Sequence, residues 1–366
     1  MKRSLIIGSF IIALVCILAG IGVAQDAQTA RPMFAVLPPH SYQAPALNAP
    51  PVTPLTQWTY TFTYNGSTYN DVFVGTDPSK NNSATNFTWG LIPIKMVYGA
   101  NNGNMTFDPN AVYVSNKSAV QMILLSPQFQ SEVDFVQGGT DVGKTQYGDA
   151  YQRANFWNNV MTNTNYHILF KKAVVAPTQT ITVTQAQGKV IPNPWSGIPT
   201  GTMDINAFDT QLQSIMHKFP QITPNVFPLF LTYNVYLTSG GCCIGGYHSA
   251  TVGPPNGQTY AYTTTISQAP VPVFSQDISA LSHEVGEWIL DPFTTNRSPC
   301  GIMENGDPLE TENNFGDFPY KVSGFTFHPQ DLVFVDYFGA PVGQVNGWHT
   351  FQNETNANGV CSRGSN

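Results

Sequence analysis

The segment from Ile278 to Pro292 has the sequence ISALSHEVGEWILDP, which combines a helical apolar repeat with a histidine and three acidic residues. Apolar side chains recur at spacings of three and four residues, which is typical of a helix with one buried face. Those side chains are Ile278, Leu281, Val285, Trp288 and Ile289. Pro292 ends the pattern, because proline cannot continue the backbone hydrogen-bond ladder. The segment therefore predicts a helix over residues 275–290 with one face in the core.

Two potential metal ligands share one face of this predicted helix. His283 and Glu287 are four residues apart and therefore one turn apart, whereas Glu284 points about 100° away from His283. Two such side chains can bind one metal ion, and a neighbouring carboxylate can act on its water, as in the His-Glu-x-x-His motif of zinc peptidases. Glu287 replaces the second histidine, which zinc accepts with some loss of selectivity. We expect His283 and Glu287 to bind metal and Glu284 to be the general base.

Further ligands are available on both sides of the helix. Glu304 and Asp307 lie 17 and 20 residues beyond Glu287, and either carboxylate could complete a metal site. Upstream, His248 follows a pair of cysteines and a pair of glycines, and glycine permits close approach of the backbone. His248 is a candidate for a metal ligand or for the group that stabilises a developing oxyanion. It is equally a candidate for a loop histidine bonded to a carbonyl oxygen.

The acids of the predicted helix also have a plainer interpretation, as an ordinary solvated face. Charged residues are only 10 % of the chain, yet acids crowd the stretch between residues 283 and 312, which favours a site. Oxygen-rich ligation would suit a hard cation such as calcium as well as zinc. The residues that could form such a calcium site are Glu287, Asp291, Glu304 and Asp307.

Strand and helix patterns alternate irregularly elsewhere, with no internal repeat. Residues 59–64 alternate, Asn65-Gly66 follows, and a second alternating run reaches Val74, which is typical of a β-hairpin. Further patterns predict strands at 90–98, 165–171, 179–185, 225–237, 258–266 and 331–338, and helices at 118–130, 145–161 and 206–218. We predict an α+β fold with one large strand-rich domain over residues 57–366, and leave open two lobes around a cleft.

The N-terminus has the three-part pattern of a secretory signal. Lys2 and Arg3 precede an apolar run from Leu5 to Ala24 that closes on small residues. We expect a signal peptide over residues 1–24 and a Pro/Ala-rich spacer over residues 25–56, with the protein acting outside the cytoplasm. An uncleaved membrane anchor is the alternative, because a run of this length could just span a bilayer.

Four cysteines remain after such a cleavage, and an even number predicts two disulfides in an oxidising compartment. Ring strain disfavours a bond between neighbours, so Cys242 and Cys243 are expected to pair separately with Cys300 and Cys361. A cysteine-based zinc site is not supported, because the C-x-x-C spacing does not occur.

The charge of the chain excludes some partners. The formal net charge is −7, and loss of Lys2 and Arg3 with the signal would make it −9. No basic surface is therefore expected for nucleic acid or for an anionic membrane. Aromatic residues are 12 % of the chain, more than the charged ones, a balance that suits a strand-rich extracellular domain.

Several stretches resemble segments of a group of uncharacterised secreted bacterial proteins: 145–157, 245–249, 282–292 and 304–308. These stretches contain the pattern His-Glu-x-x-Glu-Trp, Asp-Pro and Glu-x-x-Asp. The His-Glu-x-x-Glu, Asp-Pro and Glu-x-x-Asp elements, with a Gly-x-His upstream, are also similar to the exordium (phosphate-induced) extracellular proteins of plants. The bacterial resemblance covers most of residues 57–361 and the plant one only part of the second half. The resemblance to these groups implies that the segments of His248, His283 and Glu304 meet in space. The plant proteins carry more cysteines, so their disulfide pattern is not transferred.

The ligand chemistry also resembles that of thermolysin-type zinc peptidases, whose third ligand is a downstream glutamate on a helix. Here Asn305-Gly306-Asp307-Pro308 has the pattern of a turn, so the resemblance does not extend to geometry. Two functions are predicted as alternatives. One is a secreted metal-dependent hydrolase, peptidase-like, that acts on an extracellular peptide or glycan with zinc as cofactor. The other is a non-enzymatic extracellular binding module with a structural metal site, for which calcium is the candidate.

Overall fold

The computed structural model describes residues 34–39, 53–194, 196–266, 277–309, 319–352 and 359–361. These residues belong to one compact unit. The predicted signal peptide at 1–24 lies outside the described residues, as does most of the predicted spacer at 25–56. A short strand at Phe34–Val36 falls within that spacer and pairs with the main sheet. Within the described ranges, no helix is both long and apolar enough to cross a membrane.

The described residues are rich in strands and contain few helices, which agrees with the predicted α+β class. In chain order the strands are β1 Phe34–Val36, β2 Gln57–Tyr64, β3 Ser67–Val74, β4 Ala84–Tyr98, β5 Thr106–Phe107, β6 Val112–Val114, β7 Lys117–Ser118, β8 Val133–Gln137, β9 Thr140–Thr145, β10 His167–Phe170, β11 Val174–Val175, β12 Gln179–Val183, β13 Val190–Pro192, β14 Pro199–Asp204, β15 Val226–Tyr233, β16 Val235–Thr238, β17 Cys242–Ile244, β18 Gly246–Ala250, β19 Thr259–Thr265, β20 Arg297–Ser298, β21 Gly301–Ile302, β22 Tyr320–Val322 and β23 Phe325–Phe327. The α-helices are α1 Ala119–Leu125, α2 Tyr147–Asn155, α3 Trp157–Val160, α4 Ile205–Met216 and α5 Ser279–Leu290. The division into two lobes stays a prediction.

The main sheet has the strand order β1-β18-β19-β15-β4-β10, and β5, β11 and β12 also pair with β4. Most of these pairs are parallel, and β18–β19 and β4–β5 are the antiparallel ones. Central parallel strands are covered on both faces and therefore read as continuous apolar runs. Strand β15, with the sequence VFPLFLTY, shows this directly, because six successive residues from Phe227 to Thr232 are buried.

Two apolar cores lie on opposite faces of this sheet. Alternate residues of β15 divide between them: Leu229 and Leu231 belong to one cluster and Phe230 to the other, because successive side chains point to opposite faces. Helices α2 and α5 contribute to the first cluster and α4 to the second. Helix α5 is thereby held against the middle of the molecule, where its polar side chains are also buried.

The β-hairpin prediction is confirmed, and most of the other strands are present with shifted ends. Strands β2 and β3 pair in register around Asn65 and Gly66, which both have positive φ. The run at 225–237 is broken into β15 and β16 at Asn234, with φ of 53°. Asparagine tolerates this left-handed conformation better than most residues. The second half of the run therefore leaves the main sheet and joins β14 and β17.

The strand predicted at 331–338 is wrong. Val333 forms an isolated bridge with Thr350, and Val335–Phe338 is a 3-10 helix. The run is apolar because this part of the chain is buried, although it has no regular secondary structure along most of its length. One of its backbone carbonyls, that of Val333, accepts a hydrogen bond from Tyr151 Oη at 2.7 Å. A short apolar run does not by itself distinguish a strand from other buried structure.

Two helix predictions are too long. Helix α1 ends at Leu125 because Ser126, which precedes Pro127, is extended, and a proline disfavours helical geometry in the residue before it. The helix predicted at 145–161 is interrupted at Phe156, which has φ of −112° and ψ of 37° and separates α2 from α3. The helix predicted at 275–290 is described from Ser279 as α5.

The predicted disulfide pairing is wrong, although both bonds exist. Cys242 is bonded to its neighbour Cys243, and Cys300 is bonded to Cys361. The prediction took ring strain to exclude a bond between neighbours, whereas the two residues are bonded in the structure with their Cα atoms 3.1 Å apart. Cys300 and Cys361, with Cα atoms 6.0 Å apart, are in ordinary bonding range of each other.

Candidate metal centre

Helix α5 turns its acidic face to the interior of the protein. His283 and Glu284 are fully buried and Glu287 is 2 % exposed. The helix packs on β18 and β19, where Trp288 Nε1 donates to Thr259 Oγ1 at 2.9 Å, and it also contacts α2 and β3. The interpretation of these acids as a solvated helix face is therefore wrong.

A first group of potential ligands, the outer group, consists of His283, Glu287 and Asp307. His283 Nε2 lies 2.9 Å from Glu287 Oε1 and 3.6 Å from Asp307 Oδ1. One ligand atom from each residue lies within 4.8 Å of the others, so the group could hold a metal ion. Asp307 begins a 3-10 turn and keeps 46 % of its side chain exposed. The outer group is therefore open to solvent on the side of Asp307.

A second group, the inner group, consists of His248, Glu287 and Glu304. His248 lies in strand β18 and not in a loop, and it is fully buried. Its Nδ1 is 3.5 Å from Glu287 Oε2, its Nε2 is 3.9 Å from Glu304 Oε2, and the group also satisfies the 4.8 Å condition. Glu304 is 4 % exposed, and neither of its carboxylate oxygens has a hydrogen-bond partner among the described residues. Orphaned buried carboxylate oxygens fit a cation, because leaving them unpaired is costly.

The hydrogen bonds of both imidazoles determine which nitrogen carries the lone pair. His248 Nε2 lies 3.0 Å from the carbonyl oxygen of Asp291, which can only accept, so Nε2 carries the hydrogen. Gln330 Nε2 donates to the carbonyl of Gly306 at 2.7 Å, which leaves Gln330 Oε1 to accept from His283 Nδ1 at 2.7 Å. In the neutral rings, His248 Nδ1 and His283 Nε2 therefore carry the lone pairs. The His248 lone pair faces Glu284 and Glu287, whereas Glu304 lies nearest to the Nε2 side of the same ring. Metal-binding histidines are typically oriented by such a bond from the other nitrogen.

Two glycines allow the segments to approach this closely. A Cβ atom on Gly246 would lie 2.6 Å from Glu284 Oε1, and one on Gly306 would lie 2.3 Å from His283 Nδ1. Real Cβ atoms essentially never come so close. The close approach expected for the glycines before His248 therefore occurs at Gly246, and Gly306 provides a second one beside His283.

The predicted base, Glu284, lies on the His248 side of the cluster. Its Oε2 is 3.3 Å from His248 Nδ1, and its Oε1 has no hydrogen-bond partner among the described residues. It belongs to neither group of three. Asp291 is also outside them: its carboxylate accepts from the backbone N–H groups of Thr295 and Asn296 and so closes the turn after α5. The four-carboxylate calcium site predicted with Asp291 is therefore not assembled in this form.

Carboxylates outnumber imidazoles in the cluster, and this excess shifts the pKa values of both histidines and of the glutamates beside them. Burial opposes the charged form of His283, but Glu287 raises its pKa to about 10. Burial acts the same way on His248, yet Glu304 and Glu284 hold its pKa well above the usual range. Burial raises the pKa of Glu284 to about 7 against the effect of both imidazoles. Burial would also raise the pKa of Glu287, but His283 and His248 hold it far below its usual range. Protons thus occupy the imidazoles when no cation is present.

The sequence interpretation missed Gln330, which orients His283. The backbone N–H of Gln330 also donates a hydrogen bond to Ser282 Oγ at 2.8 Å. Nothing in the sequence around residue 330 marks this role, because a glutamine carries no charge or ligand pattern. Gly306 had a signal, since it lies in the turn between the two downstream acids.

The chain matches no protein-family model, and no curated protein or solved structure matches it. The resemblances drawn from the sequence therefore stay predictions.

Proposed function

We propose that this protein is an extracellular metal-dependent hydrolase, with peptides as the first substrate class. The observation that supports it most is the outer group, in which an oriented imidazole and two carboxylates stand at a solvent-open position. His283, Glu287 and Asp307 would hold the ion, and a zinc-type ion bound there would acidify water and polarise a scissile carbonyl. Extracellular action follows from the predicted signal and agrees with the two disulfides.

Glu284 is the proposed general base. It is a buried carboxylate in the same cluster, with one oxygen that has no hydrogen-bond partner among the described residues. Its role would be to take the proton from the attacking water and pass it to the leaving amine. Asp307 would mark the side from which substrate enters, because its side chain is 46 % exposed.

The test compares Glu284→Gln with the wild-type protein on a panel of peptides and glycans. We expect the variant to retain its metal and to lose turnover by about 10²–10⁴-fold, the usual contribution of a general base. Glu132→Gln, which changes an exposed glutamate elsewhere, is the matched control and should keep wild-type activity. Hydrolysis by Glu284→Gln at the wild-type rate would contradict the mechanism.

A second function, a binding module with a structural cation, is favoured by one observation. His248, Glu287 and Glu304 are at most 4 % exposed, so an ion in the inner group is sealed from substrate. Elemental analysis of the purified protein separates the two proposals. Stoichiometric zinc with activity on the panel supports the hydrolase, whereas calcium without activity supports the module.

A further inference from the structure

The two carboxylate oxygens of Glu287 face different histidines. Oε1 lies 2.9 Å from His283 Nε2, and Oε2 lies 3.5 Å from His248 Nδ1. The outer and inner groups share this residue alone, and each brings a further carboxylate of its own, Asp307 or Glu304. A carboxylate with one oxygen in each of two ligand groups has the geometry of a bridge between two ions.

We propose that the cluster holds two divalent cations bridged by Glu287. The inner ion would be bound by His248, Glu287 and Glu304, and the outer ion by His283, Glu287 and Asp307. Paired ions of this kind lie about 3.5–4 Å apart in two-metal sites. The proposal rests on the metal part of the proposed function and deepens it, because the single ion considered there becomes the outer member of a pair.

Charge supports two ions over one. Glu284, Glu287, Glu304 and Asp307 carry four negative charges when ionised, while both imidazoles are neutral when they bind metal. Three of these carboxylates are at most 4 % exposed. One divalent ion would leave two of these carboxylates either to take up protons or to stay charged in a poorly hydrated site, where an uncompensated charge is costly. Two divalent ions would balance the four carboxylates.

The ligand atoms indicate the class of ion. Each group offers one imidazole nitrogen and two carboxylates, a set that suits zinc, manganese and similar first-row divalent ions better than calcium, which prefers oxygen alone. The hydrogen bonds from His248 to the Asp291 carbonyl and from His283 to Gln330 fix the orientation of both rings without any ion. Both positions are therefore oriented before the ions arrive.

The two positions differ in access, which predicts an order of release. The inner group is sealed, whereas the outer group is open beside Asp307. A chelator should remove the outer ion first and the inner ion only slowly.

The experiment is zinc titration of the purified, demetallised protein, followed by calorimetry and by elemental analysis after desalting. We expect two equivalents in the wild type. Asp307→Asn, which alters the exposed ligand and is the variant least prone to misfold, should bind one, and so should Glu304→Gln. His217→Gln, at an exposed histidine elsewhere, is the matched control and should bind two. Circular dichroism establishes that each variant is folded.

A direct readout of the bridge comes from the same protein loaded with manganese(II). Two ions that share Glu287 should give an exchange-coupled paramagnetic resonance spectrum, and Asp307→Asn should give the spectrum of an isolated ion. One equivalent in the wild type, or two equivalents without coupling, would overturn the proposal.

These measurements use no substrate, so they are distinct from the test of hydrolysis. Two coupled ions without activity would overturn the hydrolase alone, one ion with activity would overturn the pair alone, and no binding would overturn both.

Discussion

Histidine–carboxylate contacts occur in two settings in this molecule, and the settings differ in the ratio of the two groups. At the periphery each imidazole meets one carboxylate: His349 with Asp336 at 2.7 Å, and His167 with Asp149 at 2.7 Å. These histidines keep 39 % and 27 % of their side chains exposed. In the buried cluster, by contrast, one carboxylate, that of Glu287, contacts both His248 and His283. Further carboxylates lie around the same two imidazoles.

The peripheral His167–Asp149 pair is internally satisfied. Asp149 also accepts from Thr145 Oγ1 and from the backbone N–H of Ile168, both at 2.6 Å. Glu304 in the cluster has no such hydrogen bonds among the described residues. The comparison shows that a histidine beside an acid is not in itself a sign of a metal site. The sign is a buried excess of carboxylates over imidazoles, in which Glu304 has both oxygens without a hydrogen-bond partner among the described residues.

The largest expected effect is the loss of stability when metal is removed. An ion that binds only the folded state stabilises it by about 4 kcal/mol at a concentration 1,000-fold above its Kd. We expect the melting temperature of the protein to fall by several degrees or more after treatment with a chelator, and to recover when zinc is restored. Calorimetric melting curves measure this, with His349→Gln as a peripheral control that should respond to the chelator like the wild type. Identical melting curves with and without chelator would contradict the claim that the buried cluster holds a stabilising metal ion.

A substitution at Gly306 should be nearly as disruptive, because an added Cβ would lie 2.3 Å from His283 Nδ1. We expect Gly306→Ala to displace the imidazole, abolish binding at the outer group and destabilise the fold by about 1–3 kcal/mol, as overpacking usually does. Denaturant unfolding and zinc titration measure the two effects. Gly253→Ala is the control, because nothing lies within 4 Å of a Cβ there. Normal zinc binding by Gly306→Ala would mean that His283 is not a ligand.

A change at Gln330 tests the orientation of His283 without touching a ligand. We expect Gln330→Leu to weaken zinc binding by about 10–100-fold, the usual effect of losing the group that orients a metal-binding histidine. Gln344 is the matched residue at the periphery, since its Nε2 donates to Asp336 Oδ2 at 2.8 Å. Gln344→Leu should leave zinc affinity unchanged. Equal effects of the two substitutions on zinc affinity would show that the buried cluster and the peripheral pair do not differ in metal binding.

The pH dependence of stability should differ between the metal-free and the metal-loaded protein. In the metal-free fold, Glu287 raises the pKa of His283 from 6.5 to about 10 in spite of burial. A raised folded-state pKa stabilises fully below the unfolded value of 6.5, and this stabilisation is lost as the pH rises through about 10. Metal-loaded protein should instead lose stability towards acid, where protons displace the ions from imidazole. Melting temperatures from about pH 5 to 10 test this linkage, and parallel curves for the two forms would contradict it.

The smallest effect is expected at a peripheral pair itself. Asp336→Asn removes the charge that faces His349, whose side chain is 39 % exposed. Exposed pairs contribute about 0.2–1 kcal/mol. Because Asp336 itself is 13 % exposed, the free energy of unfolding should change by about 1 kcal/mol, the upper end of that range, and zinc binding should not change. A loss of zinc from Asp336→Asn would show that the peripheral setting had been misassigned.

The parts of the site that follow a local period could be predicted from the sequence. The helical spacing around His283 and Glu287 predicted a buried helix, and α5 is that helix. Glu304 and Asp307 were named because acids are scarce in this chain and these two lie shortly after the helix. The hairpin was predictable for the same reason, since alternation and the Asn65-Gly66 turn are local signals.

The parts that depend on long-range pairing could not be predicted. The mixed main sheet pairs β18 with β1 and β19, so His248 becomes a buried strand residue, which its glycine-rich surroundings did not indicate. Gln330 acts through one hydrogen bond from a distant segment, and no local pattern records that contact. The disulfide prediction failed because it took ring strain to exclude a bond between Cys242 and Cys243, and because the pairing of Cys300 with Cys361 depends on how distant segments meet.

The most direct measurement is anomalous X-ray diffraction at the zinc absorption edge from crystals of the protein grown with zinc. Two anomalous peaks should lie on either side of the Glu287 carboxylate, one beside His248 Nδ1 and the other beside His283 Nε2. A map with zinc peaks only at peripheral histidines such as His349, and none within the cluster, would contradict the account.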